Sequence, residues 1–142
     1  MLFKNANLFL DGRFRHGSFR VENGRFAEIL TGVTAEDGVD LQGQYVIPGL
    51  VDVHTHGNSG ADFSDSDYDG LVRMARYLAA NGVTSFAPAS MTLPYDVLGA
   101  AYKTAVRLKQ EQPSGCARLM GIQMEGPFFS EKKKGAQNGA YL

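Results

Sequence analysis

Strand-like and helix-like segments alternate along the chain from Tyr45 onward, and this order constrains the fold more than any other feature of the sequence. Within the first helix-like segment, Leu71, Met74 and Leu78 recur at helical spacing. Strands that alternate with helices predict βαβ units, a parallel sheet and an α/β fold. The predicted elements are strands at about 46–54, 83–88 and 117–125 and helices at about 66–81 and 94–112.

The first part of the chain, residues 1–44, has a different pattern of short alternating segments separated by tight turns. Asp11-Gly12 and Asn23-Gly24 stand between these segments. Such pairs between alternating segments are strong hairpin signals. The pattern of residues 1–44 therefore predicts a small antiparallel β domain, and the pattern of residues 45–142 predicts three βα units.

An apolar run in the first predicted strand, which begins at Val46, ends in a His-x-His pair. Side chains alternate between the two faces of a strand, so His54 and His56 point the same way at its exit. Two imidazoles on one face suit a transition metal, although such a pair can also be structural. Pro48-Gly49 before the pair and Gly57 after it favour a strand that opens into a loop, where α/β enzymes place their chemistry.

A carboxylate ends the third predicted strand, where Glu125 precedes Gly126-Pro127. If the parallel sheet curls into a barrel, Glu125 converges with His54 and His56 on the rim at the carboxyl ends of the strands. Glutamate alone is often only a solvated loop residue, but it can also bind or bridge divalent metals. With the histidine pair two strands away, the sequence predicts a metal site at this rim.

Composition and charge exclude several classes of protein. The 142 residues are 44% hydrophobic and 20% charged, which indicates a globular domain. The net charge is −1 with both signs interspersed, so no basic face for nucleic acid is present. The single cysteine, Cys116, excludes an internal disulfide framework and suits the cytosol. With no signal-peptide pattern and no apolar run of about 20 residues, we expect a cytoplasmic protein without a membrane partner.

Two segments resemble a known superfamily. Residues 48–57, Pro-Gly-Leu-Val-Asp-Val-His-Thr-His-Gly, are similar to the first-strand signature of the amidohydrolase superfamily of metal-dependent (β/α)8 hydrolases. Residues 121–128 with 133–138, which contain the phrases EGPF and KKGAQN, resemble its sugar-phosphate deacetylases more specifically. The resemblance covers the whole chain. It implies the N-terminal portion of a TIM-type barrel that stops after barrel strand 3, preceded by strands of a small β-sandwich domain.

The same resemblance implies an activity, the removal of the acetyl group from N-acetylglucosamine 6-phosphate to give glucosamine 6-phosphate and acetate. It also implies one or two divalent ions (Zn, Fe, Mn or Co) held by His54, His56 and Glu125. Gln137 falls where many members have a histidine that polarises the amide carbonyl, and a glutamine amide can donate a hydrogen bond but cannot carry a positive charge. The substrate contacts that the resemblance implies are Gln137, Asn138 and Gly135.

Other parts of the implied machinery are expected outside this sequence. In the superfamily, an aspartate base on a late strand and two further histidine ligands follow, and here they would lie beyond Leu142. We therefore expect the 142-residue chain alone to be inactive, and the full-length protein to be a homodimer that binds a small sugar phosphate.

Two other classes of function stay open. Another amidohydrolase, a cyclic-amide hydrolase or a deaminase, commonly relies on a carboxylated lysine at the fourth strand, so residues beyond Leu142 would decide. A non-catalytic metal-binding fragment is the second, and metal binding without hydrolysis would favour it. The Glu125-Gly126-Pro127 phrase favours the deacetylase over both.

Overall fold

The structure is a computed structural model that describes residues 1–142 and divides into two units, Met1–Pro48 and Gly49–Leu142. The first unit holds one five-stranded sheet. Its buried core contains Ala6, Leu8 and Phe19, which lie on the two longest strands. The strands are β1 Leu2–Leu10, β2 Arg13–Glu22, β3 Arg25–Thr31, β4 Val39–Asp40 and β5 Tyr45–Val46.

The sheet of the first unit is mixed rather than antiparallel throughout. β1 and β2 pair antiparallel, as do β2 and β3, and the two hairpin turns lie at the predicted Asp11-Gly12 and Asn23-Gly24. All four turn residues have positive φ, as the tight turns favoured in hairpins require. β4 and β5, however, pair with β1 in parallel. The prediction missed them because a two-residue strand carries no readable periodicity, and the connection after β3 returns the chain to the other side of β1.

The second unit is an α/β unit built on three parallel strands, β6 Leu50–Thr55, β9 Val83–Pro88 and β10 Arg118–Leu119. They lie in the order β10-β9-β6. A two-stranded hairpin, β7 Gly57–Asn58 with β8 Ala61–Asp62, follows β6 along the chain. Three short 3₁₀ helices lie at Phe63–Asp65, Glu131–Lys133 and Gly139–Tyr141. The two α-helices are α1 Tyr68–Ala80 and α2 Tyr95–Glu111.

Both predicted helices are present, each slightly shorter than predicted. The Asp67 side chain accepts a hydrogen bond from the Asp69 N–H and caps the start of α1. α2 begins directly after Pro94, which cannot donate a backbone hydrogen bond. The predicted apolar face of α1, which includes Met74 and Leu78, packs with Phe86 of β9 in a buried cluster. This packing holds the helices against the sheet and leaves its carboxyl edge to the loops.

The first predicted strand, 46–54, is two strands in the structure. Tyr45–Val46 belongs to β5, and pairing with β9 begins only at Leu50. Pro48 has no N–H to donate, so it interrupts the strand. The boundary between the two units of the structure lies after Pro48.

The third predicted strand, 117–125, is regular only at Arg118–Leu119. The chain still follows β9 beyond that point, because the Met120 N–H donates to the Phe86 carbonyl and the Gln123 N–H to the Pro88 carbonyl, both at 2.9 Å. This irregular extension delivers the segment ahead of Glu125 to the carboxyl edge of the sheet.

None of the helices has both the length and the apolar character that crossing a membrane requires.

Candidate metal centre

The histidine pair lies where β6 ends. His54 is the penultimate residue of β6 and His56 follows the strand directly. Their ring centroids are 5.2 Å apart and the rings are nearly perpendicular. The two imidazoles therefore present their edges to one space rather than stacking on each other.

Glu125 reaches the same space from the segment after β10. Its Oε2 atom lies 3.0 Å from His54 Nε2 and 3.1 Å from His56 Nε2. One ligand atom from each of the three residues lies within 4.8 Å of the other two, so together they could hold a metal ion. The structure thus brings together the three residues that the sequence singles out as ligands.

The donor set fits a divalent metal. Glu125 Oε2 is shielded from solvent and has no hydrogen-bond partner. A shielded carboxylate oxygen without a partner is costly unless a cation or a donor satisfies it. Ligand atoms about 2.0–2.2 Å from a tetrahedral metal lie roughly 3.3–3.6 Å from each other. The two distances from Glu125 Oε2 to the imidazoles, 3.0 and 3.1 Å, are slightly shorter than that.

The orientation of His56 is set by its other ring nitrogen. Nδ1 lies 3.1 Å from the carbonyl oxygen of Ala89, which can only accept a hydrogen bond. Nδ1 therefore carries the proton, and the lone pair of a neutral ring lies on Nε2, which faces Glu125. The Ala89 N–H in turn donates to the Thr55 carbonyl at 2.8 Å, which ties this loop to the end of β6.

Asp52 contacts the backbone of the histidine pair rather than either imidazole ring. Its Oδ1 atom accepts a hydrogen bond of 3.0 Å from the His54 N–H. The side chain of Asp52 therefore steadies the strand at the residue that carries the first imidazole.

Gln137 contacts the three candidate metal ligands through one of them, Glu125. Its Nε2 atom donates to Glu125 Oε1 at 3.0 Å, and its Oε1 atom accepts from the Thr92 N–H at 3.2 Å. Sequence reasoning did not identify Thr92 or Ala89. Their place in the loop after the second parallel strand was the only signal, since loops at the carboxyl ends of strands converge on one rim.

The other two predicted substrate contacts lie apart from the three candidate ligands. Asn138 Oδ1 accepts from the Ala140 N–H at 3.0 Å and begins the last 3₁₀ helix. Gly135 is an exposed turn residue with a φ of 61°. Neither residue is hydrogen-bonded to His54, His56 or Glu125.

Parallel βα units with two imidazoles and a carboxylate at the carboxyl edge define an α/β protein with the ligand set of a metal-dependent hydrolase. Comparison with known proteins identifies the particular family. The chain is 38% identical over 117 residues to the N-acetylglucosamine-6-phosphate deacetylase of Vibrio furnissii, covering 81% of this chain and 29% of that protein. It is 31% identical over 148 residues to the human protein of the same name, covering 99% of this chain and 36% of that protein.

A solved structure agrees with these relatives. The crystal structure of N-acetylglucosamine-6-phosphate deacetylase from Pasteurella multocida matches with a TM-score of 0.82 and 26% identity, over 99% of this chain and 38% of that one. No family model matches the chain. The chain thus belongs to the N-acetylglucosamine-6-phosphate deacetylase family, which confirms the resemblance. It spans about a third of the length of the curated relatives it matches.

Proposed function

We propose that this chain is the N-terminal part of a metal-dependent hydrolase that removes the acetyl group from N-acetylglucosamine 6-phosphate. The products are glucosamine 6-phosphate and acetate. The observation that carries the proposal is the convergence of His54, His56 and Glu125 in a chain whose relatives are named for this reaction.

We further propose that β6, β9 and β10 are the first three strands of a (β/α)8 barrel, and that the first unit is part of a small β-sandwich domain. β6 lies at an edge of its sheet, and its Leu50, Val51 and Val53 side chains are more than half exposed. Exposed apolar strands at an open edge are normally covered by further structure. On this proposal, residues 1–142 alone do not form a complete site and are inactive.

The proposed reaction is the hydrolysis of an acetamide. The C–N bond breaks, the oxygen of water bonds to the acetyl carbon, and a proton goes to the departing amine nitrogen. A divalent metal held by His54, His56 and Glu125 would supply Lewis-acid polarisation of the carbonyl and promote the ionisation of water. A general base is still needed. By resemblance that base is an aspartate in the remainder of the protein.

Each of the three proposed ligands has a defined part. His56 is held by the Ala89 carbonyl with its Nε2 lone pair facing Glu125. His54 is fixed at its backbone by Asp52. Glu125 presents Oε2, which has no other partner. We also propose that Gly135, Gln137 and Asn138 line the sugar-phosphate pocket, because they share the loop that approaches Glu125.

Acetate release by the protein that carries this sequence tests the proposal. With Zn²⁺, Fe²⁺, Mn²⁺ or Co²⁺ supplied, N-acetylglucosamine 6-phosphate should release acetate, and Glu125→Gln should abolish release by replacing a charged ligand with a neutral amide. Three control substrates are N-acetylglucosamine without phosphate, the 4-epimer N-acetylgalactosamine 6-phosphate and a cyclic amide. Turnover of the cyclic amide alone would contradict the deacetylase proposal and favour a cyclic-amide hydrolase.

We propose in addition that the full-length protein is a cytoplasmic homodimer. The single cysteine suits a reducing compartment, and the dimer follows from the resemblance. Sedimentation at two protein concentrations would test the dimer, and a monomer at both would contradict it.

A further inference from the structure

We propose that Gln137 is a positioning residue for Glu125. Gln137 holds one oxygen of the Glu125 carboxylate so that the other oxygen faces the two histidines. This inference rests on the proposed metal site and gives Gln137 a role in addition to the substrate contact that the family resemblance implies.

The two oxygens of Glu125 have separate surroundings. Oε1 accepts a hydrogen bond of 3.0 Å from Gln137 Nε2. Oε2 receives no hydrogen bond and lies 3.0 Å from His54 Nε2. The carboxylate is therefore fixed at one oxygen and free for a cation at the other.

The amide of Gln137 can take only one orientation. Its Oε1 atom faces the Thr92 N–H at 3.2 Å, which can only donate. A flipped amide would turn its NH₂ group toward that N–H and its oxygen toward the Glu125 carboxylate, and both contacts would be repulsive. The amide therefore donates one N–H to Glu125 and accepts from Thr92 at once, and only the second N–H of Nε2 is left for any other acceptor.

Neighbouring groups hold both residues of this contact. Lys134 Nζ donates to the Gln137 carbonyl at 3.0 Å, and the Gln137 N–H donates to the Lys134 carbonyl at 3.1 Å. Thr92 is 3% exposed, and its Oγ1 donates to the Glu125 carbonyl at 3.5 Å. Gln137 therefore bridges the loop after β9 and the segment after β10 at the residue that would bind the metal.

Loss of an outer partner of a metal-binding carboxylate typically weakens metal binding by about 10–100-fold. We expect this loss from Gln137→Met, which keeps the length of the side chain and removes both polar atoms. Gln137→His should retain most of the affinity, since a neutral imidazole has one donor and one acceptor nitrogen. Gln110→Met, the same change on the exposed face of α2, is the control and should leave affinity unchanged.

The experiment measures the Zn²⁺ affinity of the metal-free protein by competition with a chelator, together with the visible spectrum of the Co²⁺-loaded protein. Combining Gln137→Met with Glu125→Gln gives a double-mutant cycle. If Gln137 acts through Glu125, Gln137→Met causes no further loss of Zn²⁺ affinity in the Glu125→Gln background. Gln137→Met alone then alters the Co²⁺ spectrum. Should Gln137→Met fail to fold, Gln137→Asn replaces it, because its shorter amide cannot reach both partners.

The outcomes separate this inference from the proposed function. Wild-type affinity and spectrum in Gln137→Met, with weakened binding in Glu125→Gln, would overturn the positioning part and leave the metal site standing. An effect of Gln137→Met that persists fully in the Glu125→Gln background would also overturn it. Wild-type affinity in both His54→Ala and Glu125→Gln would overturn the metal site itself, and the inference with it.

Discussion

Glu125 and His54 face each other from the two chain segments that flank β9, with Oε2 and Nε2 3.0 Å apart. The parallel order of the strands produces this contact, because it places the carboxyl ends of β6 and β10 on one edge. A carboxylate oxygen without a hydrogen-bond donor beside two imidazoles is an arrangement that a cation would stabilise.

His54→Ala should lower the Zn²⁺ affinity of the protein that carries this sequence. Removing the outer hydrogen-bond partner of a ligand typically lowers metal affinity by about 10–100-fold. We expect His54→Ala to lower the affinity by at least as much, since it removes a direct ligand. Chelator competition measures the affinity, and mass spectrometry of the purified protein measures bound metal. His16→Ala is the control, because His16 contacts Asn5 in the first unit. Equal metal content in both variants and the wild type would show that His54 is not a metal ligand.

Gly126→Ala should destabilise the protein by about 1–3 kcal/mol. Gly126 has a φ of 85°, and an added Cβ would lie 1.9 Å from Thr92 Oγ1. The substitution therefore strains the backbone and displaces the residue that contacts Gln137. Chemical denaturation gives the free energy of unfolding. Gly99→Ala, in α2 with open space around it, is the control and should be neutral or stabilising. Equal effects of the two substitutions would contradict the steric argument.

The sequence predicts the parts of the fold that follow from local patterns. Asp11-Gly12 and Asn23-Gly24 mark the hairpins because those residues tolerate positive φ. The convergence of His54 and Glu125 follows from the parallel order of the strands, with the chain continuing along β9 after Leu119. The coarse α/β architecture and the relationship to the deacetylases are confirmed.

Other features depend on the path of the chain in space. Tyr45–Val46 pairs with β1 in parallel, but a strand of two residues is too short to show a sequence pattern that would predict this pairing. Ala89 orients His56 through its backbone carbonyl. Every residue has this group, so the residue type at position 89 does not predict the contact. The bond between Gln137 and Glu125 depends on how residues 126–136 turn, and the spacing of the two residues does not specify that turn.

Phe86→Ala should destabilise the protein by about 3–5 kcal/mol. Phe86 is completely buried between the sheet and the helices, with Met74 of α1 in the same cluster. Truncation would leave a cavity in this cluster, and denaturation by urea would measure the loss of stability. Tyr77→Ala on the exposed face of α1 should change stability by no more than about 0.5 kcal/mol. A loss below about 1 kcal/mol for Phe86→Ala would mean that this cluster does not support the second unit.

Acid should weaken the contact between α1 and α2. The Arg107 guanidinium, at 2.8 Å, and the donating Tyr68 hydroxyl hold the pKa of the Glu111 carboxyl below its usual value. Because the folded-state pKa is the lower one, the stabilisation is present above the unfolded-state pKa and is lost as pH falls through the folded-state value. The Tm difference between wild type and Glu111→Gln should therefore be largest near neutral pH and should shrink below about pH 4.5. Glu22→Gln, the same substitution at an exposed carboxylate of the first unit, is the control. A Tm difference that stays constant from neutral to acid pH would show that the ionised carboxylate does not stabilise this contact.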